Sequence, residues 1–252
     1  MPDARFADHF SGHAAQYARF RPDYPPALFT WLRGIVRPRR LAWDCATGNG
    51  QAAVALAAHF DSVVATDGSA AQLAAATPYP RVRYVCATAE QSGLRSASAD
   101  IVTVAQALHW LDLARFYREV NRVVVRGGAI AVWSYGQVRV EPRIDEVVDT
   151  LYRETIGSYW PSERAHVDNG YRDLAFPFEP IPSPSFEMAR QWTLDQLLGY
   201  IGTWSAVQRY RRANGDGDLD DFAARLAASW GKPSTIREVS WPLLVRAGRV
   251  GA

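Results

Sequence analysis

The sequence predicts an α/β protein built on one doubly wound, mainly parallel sheet. From about residue 27 to residue 135, short apolar runs alternate with helical stretches, the sign of βαβ units. The apolar runs are continuous rather than alternating, which suits strands covered on both faces. Their ends carry small or acidic residues in turn-forming segments, where an open α/β sheet binds its ligands.

In chain order, the strand candidates are Arg40–Cys45, Ser62–Thr66, Val82–Cys86, Asp100–Ala105 and Ala129–Ser134. The first helix between them is the alanine-rich Gln51–His59. Leu113, Phe116, Tyr117, Val120 and Val124 recur at helical spacing, and Arg126-Gly127-Gly128 is expected to stop that helix. Residues 136 to 190 are rich in proline and aromatic side chains, so an irregular insertion is expected there. Thr193 is placed to cap a helix beginning at Leu194, with Asp195 in its first turn. Leu219, Phe222, Ala223, Leu226 and Trp230 mark another amphipathic helix. A last strand near Ile236–Arg246 is expected to pair antiparallel at the sheet edge.

The 252 residues suit one large domain with a well-buried core. Hydrophobic residues at 48% and charged residues at 21% are ordinary for a soluble globular chain, and a net charge of +2 is too small for a nucleic-acid footprint. Cys45 and Cys86, each in an apolar strand-like run, read as buried free thiols of a reducing compartment. No Cys/His spacing resembles a zinc site, so no metal is expected. The N-terminus is too polar for a signal peptide, and no apolar run approaches the ~20 residues that span a bilayer. A cytoplasmic protein without a membrane partner is the expectation.

The chemistry concentrates in Asp44-Cys45-Ala46-Thr47-Gly48-Asn49-Gly50, a small-residue turn between the first strand and a helix at Gln51. Gly48 and Gly50 let a ligand approach the backbone, and the helix start adds free N–H groups. A phosphate is the first guess for such a turn. Asp44 argues against it, because a carboxylate beside a pyrophosphate is repulsive. It suits a ligand that brings a cation, such as an amino group. The second strand ends at Asp67, seventeen residues after Gly50 and followed by Gly68 and Ser69. An acid there can accept hydrogen bonds from both ribose hydroxyls of a nucleoside, and can equally cap the helix near Ser69. Ala87 and Ala89 leave room for a flat ring, while Glu90 is placed either to serve the site or to cap the following turn. The fourth strand runs into Gln106-Ala107-Leu108-His109-Trp110 at the same crevice.

These segments, with Arg126-Gly127-Gly128, resemble the ordered motifs of class I methyltransferases that use S-adenosylmethionine. The likeness is greatest to the methyltransferase type 11 group, including trans-aconitate-methyltransferase-like enzymes. It extends to Tyr17-Ala18-Arg19-Phe20-Arg21-Pro22-Asp23-Tyr24-Pro25 and to Thr203-Trp204-Ser205-Ala206-Val207-Gln208. The resemblance implies a Rossmann-like sheet of seven strands, an N-terminal lid (1–35), a cofactor-binding core (36–135), a helical cap (136–235) and a final strand (236–252). It implies a cofactor site formed by Tyr17, Arg21, Asp44, Ala46, Thr47, Gly48, Asn49, Gly50, Gln51, Asp67, Gly68, Ser69, Ala89, Glu90, Gln106, Ala107 and Trp110. Gly48 and Gly50 would border the methionine part, Asp67 the ribose, Ala89 and Glu90 the adenine, and Gln106 and Ala107 the sulfonium. Ala46 departs from the usual glycine, and a positive φ there would strain it.

Methyl transfer is an in-line displacement that needs a base only when the acceptor must lose a proton. His109, with an ordinary pKa near neutrality, is the base candidate, and His13 and Tyr17 could reach the site from a lid. Tyr24, Trp133, Tyr135, Trp160, Tyr200 and Trp204 are expected outside the sheet core, in a cap or a wall around the sulfonium. Arg21 and Arg209 are candidates to hold an acidic substrate. The expected function is methyl transfer to a small molecule, a carboxylate among the acceptors considered. Two alternatives stay open: a nicotinamide-dependent oxidoreductase, since Gly48-x-Gly50-x-x-Ala53 fits a loosened dinucleotide pattern, and a non-catalytic cofactor binder.

Overall fold

The computed structural model describes residues 22–251. Among these residues eight strands form one sheet: β1 (Leu41–Cys45), β2 (Ser62–Asp67), β3 (Val82–Cys86), β4 (Ala99–Ala105), β5 (Val124–Tyr135), β6 (Glu179–Ile181), β7 (Phe186–Trp192) and β8 (Arg237–Arg249). Their order is β3-β2-β1-β4-β5-β8-β6, with β7 also on β8. Strands β1 to β5 are mutually parallel, and β8 runs antiparallel to β5. The chain starts mid-sheet, moves out to β3 and returns past β1 to β4. Strand order therefore reverses between β1 and β4, and a crevice opens beyond their carboxyl ends.

The last strand is not at the edge, as its sequence suggested. Strand β8 lies between β5 on one side and β6 and β7 on the other. Glu179 pairs with Arg249 and Phe186 with Leu243, a register that slips by one residue across Pro182-Ser183-Pro184-Ser185. Arg139, continuing from β5, bridges Ser240 from the opposite side to Ala189. So β6 and β7 share one lane, and the eight strands occupy seven lanes. The proline-rich stretch read as irregular thus completes the sheet, and the prolines mark the interruption between its two pieces.

Two layers of helix cover the sheet, and period-two alternation along the strands assigns side chains to each. Helices α1 (Pro26–Gly34) and α2 (Gln51–Leu56) lie over Ala42, Ile101, Ala129, Ala131 and Trp133. Helices α3 (Ala70–Ala74) and α4 (Leu113–Val123) follow β2 and precede β5, and Phe116 and Val120 of α4 meet Trp43, Val102, Val104 and Val132 on the other face. Residues 26–34, assigned to a lid by the sequence, are instead part of the core. Leu28, Phe29 and Leu32 are buried, and the Phe29 ring stands edge-on to Trp133. Trp133 and Tyr135, expected outside the core, are buried on β5.

Three other expectations shift. Helix α4 ends at Val123, not at the glycine pair, and β5 begins directly at Val124. Gly128 passes so close to Val124 and the Asp100 carbonyl that a Cβ would clash, which explains the glycine without a helix stop. Helix α2 ends at Leu56 rather than His59. Cys45 is a buried free thiol but Cys86 is exposed, because β3 is an edge strand covered on one side only.

The cap comprises α5 (Pro142–Thr150), a π-helical turn (Leu151–Thr155), α6 (Arg164–Asp168), α7 (Leu194–Gly202), α8 (Ser205–Asn214) and α9 (Gly217–Trp230). Thr193 caps α7 as expected, and Gln196 reciprocates in a capping box. Among the described residues no helix is long and apolar enough to cross a membrane.

Candidate active site

The turn after β1 places its acid and its glycines in the crevice. Asp44 is fully buried, accepting from the hydroxyls of Thr47 (2.6 Å) and Thr103 (2.7 Å). Among the described residues no cation approaches it, and burial raises its pKa to about 6. A desolvated carboxylate of this kind is costly until a positive charge is supplied. Asp67, at the tip of β2, accepts from the backbone N–H of Gly48 (2.8 Å) and of Ser69 (2.8 Å). One carboxylate thus ties the glycine turn to the start of α3, where Ser69 caps the helix by accepting from Gln72.

Positive φ values cluster here. Ala46 (φ 55°) and Gln106 (φ 57°) sit in the left-handed region at the tips of β1 and β4, alongside Gly48 (57°) and Gly50 (89°). The strain expected at Ala46 is present, and such strain collects at functional sites. At Gly50 a Cβ would also collide with the Tyr84 ring (2.9 Å to Cε1 and Cζ), whose hydroxyl donates to the Thr77 carbonyl. Tyr84 is a packing partner of the turn that the sequence did not single out.

At the tip of β4 the Gln106 side chain is committed to the backbone. Its Nε2 donates to the Tyr135 carbonyl (3.1 Å) and its Oε1 accepts from the Tyr135 N–H (2.9 Å). With the Gln106 N–H also donating to the Trp133 carbonyl (2.8 Å), it locks β4 to β5. The segment of Ala89 and Glu90 is held from behind by the buried Glu119, which accepts from the N–H and the hydroxyl of Ser92 (2.8 and 2.6 Å). Paired with Arg122, Glu119 has its pKa held down at about 2. Glu90 accepts from the N–H of Asp112 (3.2 Å), the residue that leads into α4.

His109, the base candidate, lies in a 3-10 turn (Leu108–Trp110) after β4. Its ring packs against Trp110 and stacks on Tyr171, and its Nδ1 lies 3.0 Å from the Tyr171 hydroxyl. Burial first, then the charges of Arg164 and His166, lower its pKa to about 3. The imidazole is neutral near pH 7 and binds a proton weakly, which opposes a general-base role. Tyr171 is itself in the left-handed region (φ 60°), and Arg246 donates to its carbonyl and to that of Leu174 (3.1 Å).

The aromatic cap continues the buried cluster on the α1 and α2 face of the sheet. Tyr152, Trp160, Tyr200 and Trp204 pack with ring centroids 4.9 to 5.8 Å apart. Arg209, a candidate for holding an acidic substrate, instead donates to the Tyr159 carbonyl (3.3 Å). Tyr24 reaches the core, edge-on to Trp133. His13, Tyr17 and Arg21 lie outside the described residues. At the opposite, amino end of the strands, Arg33, Arg37, Arg39 and Arg81 line a cavity of about 670 Å³ with His59 and Asp61. Their sequence separation conceals that grouping.

The family described as a methyltransferase domain matches residues 43–132. A protein of Dictyostelium discoideum, a methyltransferase by name, is 32% identical over 230 residues, 90% of this chain and 88% of its own. The chain belongs to the class I methyltransferases. A solved structure of a type II methyltransferase from Anaeromyxobacter dehalogenans is 46% identical, with a TM-score of 0.87 over 91% of this chain and 98% of that one. A methyltransferase structure from Bacillus halodurans, 18% identical with a TM-score of 0.51, shares the fold. Membership in this S-adenosylmethionine-dependent class removes the nicotinamide oxidoreductase alternative, whose basis was the shared doubly wound sheet and the loosened glycine pattern.

Proposed function

We propose that this methyltransferase binds S-adenosylmethionine in the crevice between β1 and β4 and methylates a small-molecule acceptor held under the aromatic cap. A carboxylate is among the acceptor groups considered. The observation that carries this reading is the fully buried Asp44, which has no cation of the described chain beside it and adjoins Gly48 and Gly50. The amino group of the methionine moiety supplies the missing charge. Asp67 keeps its carboxylate at the next strand tip, where a ribose would sit. Ala46, Thr47, Asn49, Gln51, Gly68 and Ser69 shape the turns on either side. Ala89 and Glu90 border the adenine position, and Gln106, Ala107 and Trp110 the reacting end. Tyr17 and Arg21 are assigned to the same site on the resemblance alone.

When bound, the cofactor supplies an electrophilic methyl group on a sulfonium that leaves by in-line displacement. What the chain contributes is alignment and dryness: the locked Gln106–Tyr135 clamp fixes the floor, and the cap rings exclude water. His109 is assigned to the acceptor side as a neutral hydrogen-bonding partner of Tyr171 rather than as a strong base. An acceptor already ionised near neutral pH suits such a site, because none of its protons need removal.

Turnover tests this directly. The protein is incubated with S-adenosylmethionine and a panel of carboxylic acids, phenols and amines, and S-adenosylhomocysteine is measured. Formation with at least one acceptor, without a rate break near pH 6.5 from His109, is expected. Binding of the cofactor with no turnover on any acceptor would favour the non-catalytic alternative.

A further inference from the structure

We propose that Arg164 binds an anionic group of the methyl acceptor and so selects small acids as substrates; this rests on the crevice being the methyl-transfer site. Arg164 opens α6, and its guanidinium carbon lies 4.9 Å from the Trp160 ring centroid and 5.5 Å from that of Tyr152. Its Nε donates to the Tyr152 hydroxyl (2.7 Å) and to Asp168 Oδ1 (3.0 Å). The Tyr152 hydroxyl in turn donates to both oxygens of Asp168 (2.9 and 2.8 Å). One edge of the guanidinium is therefore fixed by a closed triangle, and two ring faces hold its plane.

The other edge is uncommitted. Neither Nη1 nor Nη2 has a hydrogen-bond partner among the described residues, although the side chain keeps only 19% of its surface. An arginine this enclosed ordinarily spends all its donors. Here four N–H groups remain, and one from each Nη forms the parallel pair that takes a carboxylate bidentately. Asp168 does not fill that role, because it occupies the Nε side and is itself 41% exposed. It acts as a positioning residue for the fork.

The position of the guanidinium follows from what α6 touches: the helix packs against the 3-10 turn that carries His109. Arg164 depresses the pKa of His109 on the β4 side of the crevice, and also acts on Tyr171. Tyr200 of the cap interacts with it as well. The guanidinium thus lies between the strand-tip pair His109–Tyr171 and the cap, on the acceptor side. Two charge-assisted bonds draw charge from a carboxylate and weaken it as a nucleophile, so the bound anion serves as an anchor and the methylated atom is a second group of the same molecule. Neither Arg21 nor Arg209 is needed for this.

The test uses the full chain saturated with S-adenosylhomocysteine. Succinate, glutarate and phenylacetate are titrated by calorimetry against their primary amides, in the wild type, Arg164→Gln and Arg164→Lys. At least one acid is expected to bind, its amide at least tenfold more weakly. Arg164→Gln should lose at least tenfold for that acid with unchanged affinity for S-adenosylhomocysteine, and Arg164→Lys should restore part of the loss. Equal binding of acid and amide, equal binding by both variants and the wild type, or no acid binding to the saturated wild type overturns the proposal. Should Arg164→Gln fail to fold, Arg164→Lys decides alone: the lost fork must weaken the acid but not its amide. Failure of the wild type to bind S-adenosylhomocysteine would instead overturn the reading of the crevice itself.

Discussion

The strand tips and the aromatic cap are built by different physics. At the tips, each βα unit ends in a short segment whose position follows from topology. Asp44, Asp67 and Gln106 meet because β1, β2 and β4 are parallel neighbours around the point where strand order reverses. In the cap, nothing periodic brings Tyr152, Trp160, Trp204 and Arg164 together. They meet through ring packing and one half-buried ion-paired triangle. The difference implies that changes at the tips act on cofactor binding, whereas most changes in the cap act on stability or on the acceptor.

The largest effect that separates the two regions is expected from Trp204→Ala. Trp204 is buried against Tyr152, Trp160 and Tyr200. Its truncation should cost about 3–5 kcal/mol of stability, read by denaturant unfolding, and leave S-adenosylhomocysteine affinity within about threefold. A large loss of affinity in a folded variant would break the division. The converse is Gly50→Ala, which meets positive-φ strain and the Tyr84 ring. A penalty of about 1–3 kcal/mol from the strain alone should weaken the cofactor roughly 100-fold at the upper end, measured by calorimetry.

A smaller effect sharpens the electrostatic side. Burial holds Asp44 at about 6, above the 3.8 of an ordinary aspartate. In the ligand-free protein this group adds stability at low pH, and that contribution is lost as the pH rises through about 6. A cationic ligand prefers the ionised carboxylate, so binding must expel a proton below that pH. Affinity for S-adenosylhomocysteine should then fall up to about tenfold per pH unit below 6, and Asp44→Asn should remove the break. The smallest effect concerns Ala46. Replacing it with glycine relieves its positive φ and should add about 1 kcal/mol, or roughly 2–4 °C in Tm.

The tip half was legible because its information is local. An apolar run, a small-residue turn and an acid at a fixed place in each unit are visible in a few consecutive letters, and the parallel sheet does the rest. What the sequence could not show there was conformation. The left-handed backbone at Gln106, and the use of its side chain to clamp Tyr135, leave no compositional mark. The cap was legible only as composition: many aromatics and prolines, with no indication which ring meets which. Strand β7 was missed because its residues pair with β8 residues at least 45 positions away in sequence, and the preceding prolines read as disorder of pattern. Arg164 was overlooked for the same reason, since one arginine among many is distinguished only by the faces that hold it. His109 was found by its place after β4, but the burial that weakens it as a base comes from Trp110 and Tyr171.

The most direct measurement is calorimetric titration of S-adenosylhomocysteine into the wild type and Asp67→Ala at neutral pH. Asp67 accepts two backbone hydrogen bonds that hold the glycine turn and the start of α3, each worth about 1.5–3 kcal/mol to a charged group. Binding of one ligand per wild-type chain, weakened at least about 100-fold in Asp67→Ala, is the predicted result. No heat at millimolar ligand in the wild type, or equal affinity in the two proteins, would contradict the assignment of the crevice.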